Sequence, residues 1–225
     1  VKFSIITATY DQLPILQQIV EPAWLNQSFQ EFEWVLAVDG DDGTYDWAKR
    51  QGYKAVRNRK NKNYDWSLYN KAAKVAEGEY LVWVMGDSYP DVEFLEKMNK
   101  FVSSNRVLNG IRYNVDERGT LIKKDWRLKT LEEGVEAVGV SWKHMTLNSM
   151  CMPRLMFHAI GGFYTGYKGY GRTDYDLTIR AAKNKAEFWC LPKAIIYHLN
   201  HGDRQDTEEN IKLFDERNKG YENSL

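Results

Sequence analysis

The chain is 225 residues long, 43% hydrophobic, and carries 31 basic against 31 acidic side chains. That length suits one large domain with a sizeable core, and the balanced charge excludes an overall field drawing nucleic acid or an anionic membrane. No apolar run is long enough to span a bilayer and there is no cleavable signal pattern, so a soluble cytoplasmic protein is expected. The two cysteines, Cys151 in "SMCMP" and Cys190 in "FWCLP", sit in apolar contexts and read as buried free thiols of a reducing compartment.

In chain order, "VKFSIITATY" reads as a β-branched strand ending in small polar residues, followed by a helix around 11–27. "FEWVLAVDGDDGT" gives a second apolar run broken by Gly and Asp, as a buried parallel strand would be. A helix at 44–51 and a short strand "YKAVRN" come next, then the basic stretch "RNRKNKN" (57–63), read as a solvated loop. Residues 65–77 carry apolar side chains at helical spacing with Gly78 as the stop. "GEYLVWVMGDSYP" (78–90) is expected to supply the fourth strand, closed by Gly86, Asp87 and Pro90, and "DVEFLEKMNKFVSSN" (91–105) an amphipathic helix. This alternation predicts an α/β half with a mainly parallel sheet. Residues 106–152 look less regular, with "SWKHMTLNS" as a loop; "RTDYDLTIRAAKNK" reads as a helix, "AEFWCLPKAIIYH" as one or two strands, and the tail after 206 as a helix. There is no internal repeat, and one domain is expected: a half at 1–100, a second at 101–205, and a terminal helix.

Ligands of open α/β sheets bind at the carboxyl ends of the strands. Three such ends are polar here, "TATY" (7–10), "DGDDG" (39–43) and "MGDSYP" (85–90). Such residues also simply build strand-to-helix turns, yet three in successive units point to a shared pocket. His198 and His201 in "YHLNH" are a candidate metal pair and Asp87 the candidate third ligand. One carboxylate and two imidazoles suit Mn²⁺ or Mg²⁺ beside a diphosphate, and Zn²⁺ less well. Residues three apart on a straight strand point to opposite faces, so the chain must turn right after Tyr197 for both imidazoles to reach one ion. Thr173 and Asp176 have the spacing of a capping pair. Asp174, in the first turn of that helix, is either a partner for its dipole or a general base.

Together these segments resemble the family 2 glycosyltransferases and related enzymes of the GT-A fold, from about residue 3 to about residue 202. The resemblance implies a Rossmann-like, mainly parallel sheet flanked by helices, with a smaller mixed sheet on the acceptor side. "FSIITATY" is similar to the family's first nucleotide-binding strand, which places Thr7, Ala8 and Tyr10 beside the nucleotide. Asp39 would face the uracil or ribose, and "LYNKAAKVAEGEYLVWVMGDSYP" brings in Asn70 and a DxD motif falling on Met85-Gly86-Asp87. The second acid is present and Met replaces the first. "GGFYTGYKGYGRTDYDLTIR" resembles the acceptor segment, with Gly162, Phe163 and Tyr167 at the acceptor and Asp174 as the base, Thr173 replacing the Glu before it. Tyr164, Tyr167 and Tyr170 are candidates for stacking on the acceptor or for packing, and Gly161, Gly162, Gly166 and Gly169 make this segment a candidate lid.

The activity that the resemblance implies is that of an inverting glycosyltransferase of hexosyltransferase type, using Mn²⁺ or Mg²⁺ and a UDP-sugar donor. The acceptor hydroxyl stays open among glycan, lipid-linked sugar, protein and modified DNA base, with nucleic acid disfavoured by the charge. A sugar-1-phosphate nucleotidyltransferase fits less well, because "TATYDQLP" has neither Gly nor Lys for a phosphate loop. A non-catalytic nucleotide-sugar or glycan-binding module is the alternative from another class, prompted by Met85 and Thr173.

Overall fold

The computed structural model describes residues 1–58, 65–129, 131, 134–202 and 205–221. Most of the basic stretch 57–63, and residues 203–204 after the histidine pair, lie outside them. The described residues form strands β1 (Phe3–Thr9), β2 (Phe32–Val38), β3 (Lys54–Arg57), β4 (Tyr80–Met85), β5 (Ser88–Pro90), β6 (Arg106–Val115), β7 (Leu121–Lys123), β8 (Val138–Gly139), β9 (Met150–Pro153) and β10 (Glu187–Leu199). The helices are α1 (Leu13–Ile15), α2 (Glu21–Leu25), α3 (Thr44–Arg50), α4 (Trp66–Val75), α5 (Phe94–Asn99), α6 (Arg154–Ala159), α7 (Thr173–Lys183) and α8 (Glu208–Arg217), with a π-helical turn, Leu16–Val20, joining α1 to α2.

One continuous sheet runs in the order β3-β2-β1-β4-β9-β6-β10-β5, with β7 beside β6 and β8 beside β10. The first four strands are parallel. β9 joins them antiparallel to the second half, where β6 and β10 are parallel to each other. The fold is the mainly parallel, helix-flanked α/β sheet that the GT-A resemblance implies.

Alternation along β1, β2 and β4 explains the two-sided core. Ile6, Val35, Ala37, Leu81 and Trp83 face α4 and bury Trp66, Tyr69, Ala72 and Ala73. Ile5, Leu36, Val82 and Val84 face the other way, onto Leu16, Val20, Trp24 and Phe94. α4 starts where Asp65 accepts the Ser67 N–H at 3.0 Å, a side-chain cap worth about 1 kcal/mol. It ends at Ala76 in extended conformation. Gly78 is needed for close approach: a Cβ there would lie 2.6 Å from the Ser4 nitrogen.

Three elements depart from the sequence expectation. The amphipathic helix expected at 91–105 is only Phe94–Asn99, because the chain turns at 98–106 to enter β6. The irregular 106–152 region opens with the ten-residue strand β6. Most consequential, 78–90 is two strands: the chain breaks at Gly86-Asp87, and β5 leaves the parallel set to pair antiparallel with β10. Cys151 and Cys190 are buried free thiols, and no helix among the described residues is long and apolar enough to cross a membrane.

Candidate active site

The break in 78–90 builds the site. Gly86 donates its N–H to the Ala8 carbonyl at 2.8 Å, and a Cβ there would fall on Gln12 Oε1 and lie 3.0 Å from Thr9 Cβ. Glycine lets β4 turn this close to the end of β1, and Asp87 comes next, in the gap before β5. In the β5–β10 register Ser88 is opposite His198, and Leu199 N–H donates to the Asp87 carbonyl at 2.9 Å. His198 Nε2 therefore lies 3.5 Å from Asp87 Oδ1. The chain leaves β10 after Leu199 and passes Gly202 at φ +91°, and His201 Nε2 comes within 3.3 Å of Asp87 Oδ2. The two imidazole centroids are 4.9 Å apart at 72°. The two imidazoles do converge, but the chain turns after Leu199 and not right after Tyr197, because β10 runs on through His198 and Leu199.

Asp87 and His198 are buried and His201 is exposed. Burial works against the Asp87 carboxylate, yet the hydrogen bond from His201 and the positive charge of both histidines hold its pKa below the usual value. The same hydrogen bond raises His201 against the opposing effect of burial. Gln12 Nε2 donates to Asp87 Oδ2 at 3.3 Å. One ligand atom from each of Asp87, His198 and His201 falls within 4.8 Å of the others. One hard oxygen and two imidazole nitrogens at this spacing fit a divalent ion that keeps positions open for further oxygen ligands.

Asp174 opens α7. The helix has Arg172 at its N-cap, at φ +66° and without a side-chain cap, so the expected Thr173–Asp176 capping pair is not formed. Asp176 is instead sunk in the protein, bound by Arg180 Nε at 2.9 Å, Arg217 Nε at 3.0 Å and the Tyr167 hydroxyl at 3.2 Å. Burial pushes the Asp174 carboxyl from its ordinary 3.8 up to about 6, with the Asp206 charge adding and the Tyr175 and Leu147 N–H groups opposing. Leu147 belongs to the 141–149 loop, and its neighbour Asn148 reaches the other end of the site. Asn148 accepts the Met85 N–H at 3.3 Å and donates to Ser88 Oγ at 2.9 Å. One loop thus touches both Asp174 and the strand ends flanking Asp87.

The model of glycosyl transferase family 2 matches residues 4–172. The chain belongs to glycosyl transferase family 2. Among solved structures it is similar to TarS 1–349 of S. aureus in complex with UDP, at 20% identity and TM-score 0.73, covering 95% of this chain and 63% of that one. The complex of TarS 1–349 with UDP-GlcNAc matches at 21% identity and TM-score 0.73, covering 95% and 65%. GalNAc-T7 with UDP, GalNAc and Mn²⁺ matches at 12% identity and TM-score 0.72, covering 95% of this chain and 47% of that one. These likenesses establish the fold, and the chain spans less than two thirds of each of those chains. No curated protein sequence matches it significantly.

The residues expected on the nucleotide side differ in their surroundings. Ala8 and Met85 are in register at the carboxyl ends of β1 and β4, and both pack at the margin of the core under α4. Asp39 is buried at the end of β2. The charges of Asp39 and Asp87, after burial, raise the Tyr69 phenol, so α4 inserts Tyr69 near both acids. Tyr10 is exposed at the rim. Thr7 is fully buried and its Oγ1 accepts from Trp34 Nε1 at 2.8 Å. Asn70 is half-buried and its amide holds the Phe163 backbone, Nδ2 donating to the carbonyl at 2.8 Å and Oδ1 accepting the N–H at 2.9 Å.

The same clamp holds the segment expected on the acceptor side. Gly162, Phe163 and Tyr167 are buried; Phe163 packs on Trp66, Tyr69, Trp83 and Phe157. The Phe163 and Tyr167 side chains support the segment from beneath, and the rings at its surface are Tyr164 and Tyr170. The glycine-rich segment is fastened by Asn70 at Phe163, by Asp176 at Tyr167 and by Asn210 at Lys168, Tyr170 and Gly171, which opposes a lid hinged there. Sequence reasoning missed Gln12, Tyr69 and Asn148. Only Asn148 left a signal, an Asn-Ser pair just ahead of the apolar strand "MCMP".

Proposed function

We propose that this chain is a divalent-metal-dependent, inverting glycosyltransferase moving a sugar from a UDP-sugar to an acceptor hydroxyl. The observation that carries this is the convergence of Asp87, His198 and His201 where the parallel and mixed halves of the sheet meet. Family membership and the UDP complexes of TarS and GalNAc-T7 support the donor class. Asp87, His198 and His201 would hold Mn²⁺ or Mg²⁺, which when bound neutralises charge building on the nucleoside diphosphate leaving group.

The chain's own residues supply the rest. Asp39 faces the nucleoside, with Ala8, Tyr10 and Met85 forming the walls around it. The acceptor oxygen attacks the anomeric carbon from the face opposite the diphosphate, the carbon–oxygen bond to the diphosphate breaks, and Asp174 takes the hydroxyl proton. A carboxyl with pKa about 6 is ionised at neutral pH and is a stronger base than a solvated aspartate. Gln12 and the Leu199 N–H orient Asp87, and the 141–149 loop sets Asp174 relative to it. Release of UDP from a panel of UDP-sugars, with Mn²⁺ or with EDTA, tests the proposal. Release with the ion and near-complete loss in EDTA is expected; equal release in EDTA refutes the metal, and no release from any donor refutes the activity.

A further inference from the structure

Trp126 stands out on the described surface: it is 50% exposed, yet it is fixed in place. Its neighbours on both sides, Asp125 and Arg127, are sunk in the protein as an ion pair, with side chains only 5% and 1% exposed. The Arg127 guanidinium donates to both Asp125 oxygens at 2.9 and 2.6 Å, to Asn109 Oδ1 at 2.9 Å, to the Gly110 carbonyl at 2.7 Å and to the His144 carbonyl at 3.1 Å. A side chain carried between two buried, hydrogen-bonded charges cannot fold back into the core, so the indole is projected outward at a set angle. One face of it stacks on the His144 ring, at 5.6 Å between centroids and 28° between planes. The same guanidinium therefore fixes both the indole and the ring behind it. Beneath the stack, His144 Nδ1 is buried with no hydrogen-bond partner among the described residues.

The stack belongs to the loop that touches both ends of the site. Three residues after His144, the Leu147 N–H lies near enough to the Asp174 carboxyl to lower its pKa. Trp142, two before it, packs edge-on against Tyr175 of α7 at 5.9 Å. Three residues span at most about 10 Å, so the indole stands within a short oligosaccharide's reach of the base. A backed, immobile indole with an open face matches the flat C–H face of a pyranose and loses little conformational freedom on binding.

We propose that Trp126, backed by His144, is an acceptor subsite, and that the acceptor is a carbohydrate chain with a sugar ring stacked on the indole while its terminal hydroxyl meets Asp174. This rests on the glycosyltransferase reading for the role of the bound sugar, and the binding itself can be measured without turnover. Maltotetraose, cellotetraose, chitotetraose and mannotetraose are titrated into the full chain by calorimetry and by tryptophan fluorescence, for wild type, Trp126→Ala and Trp126→Phe. At least one tetrasaccharide should bind wild type and quench its fluorescence, binding at least tenfold more weakly to Trp126→Ala, with Trp126→Phe recovering most of the affinity. UDP binding should be unchanged in both variants, which separates loss of the platform from misfolding. Binding of none of the four to wild type, or equal affinity in Trp126→Ala, overturns the proposal, and a tryptophan that instead captures a protein partner would give the first of these results. Failure of the glycosyltransferase reading gives a different pattern, tetrasaccharide binding intact with no UDP released from any UDP-sugar.

Discussion

At Asp174 burial sets a carboxyl against its own ionisation, and this has consequences that can be measured separately. As the base, it must be deprotonated, so activity should fall as pH drops through about 6. Replacement by Asn should lower turnover roughly 10²–10⁴-fold with UDP binding retained; near-normal turnover would reject the assignment. Stability should respond in the opposite sense. The folded pKa lies above the ordinary 3.8, so the native state binds the proton more tightly and loses stability as pH rises from about 4 to above 6. At pH 7.5 Asp174→Asn should therefore stabilise the fold by about 1–3 kcal/mol. The gain should fade in denaturant titrations near pH 4. A variant that is less stable than wild type at pH 7.5 would show that the carboxylate is structural. Asp176, two residues on, is structural: it is held by Arg180, Arg217 and Tyr167 and ties α8 to α7. Asp176→Ala should cost about 3 kcal/mol or more in chemical denaturation, because it strands two guanidinium groups.

Among the elements, the split of 78–90 matters most. The first piece is an apolar run, but Ser88-Tyr89-Pro90 has no strand pattern of its own and reads as the polar end of the first. What separates them is a partner over 100 residues away in sequence, β10, whose antiparallel pairing with β5 is a non-local choice. The strands β1, β2 and β4 were legible because burial on both faces leaves continuous apolar runs. Asp87, His198 and His201 were legible as residue types at polar strand ends. The surroundings of Asn70, Thr7 and Phe163 were not legible: whether a polar or aromatic side chain at a strand end or helix turns outward or into the protein depends on its neighbour, here Trp34 for Thr7 and the 162–163 turn for Asn70. Asn148, in a stretch read only as a loop, joins β4 to β5 by its two side-chain bonds. Asn148→Ala should lower stability by about 1–3 kcal/mol and weaken Mn²⁺ binding, read by calorimetry. Unchanged metal affinity would separate the loop from the alignment of Asp87.

Over the whole molecule, one continuous sheet carries the proposed nucleotide side in its parallel half and the histidine pair at the end of β10 in its mixed half, and Asp87 lies in the link from β4 to β5 that joins the two. Metal binding should therefore couple the two halves: Mn²⁺ with UDP should raise the melting temperature of wild type more than either alone, by the linkage of ligand binding to folding. The most direct test is calorimetric binding of UDP with Mn²⁺ and with EDTA, for wild type and for His198→Ala/His201→Ala. The account predicts that UDP binds wild type in Mn²⁺ and at least tenfold more weakly either in EDTA or to the double variant. Equal UDP affinity in all of these conditions would contradict it.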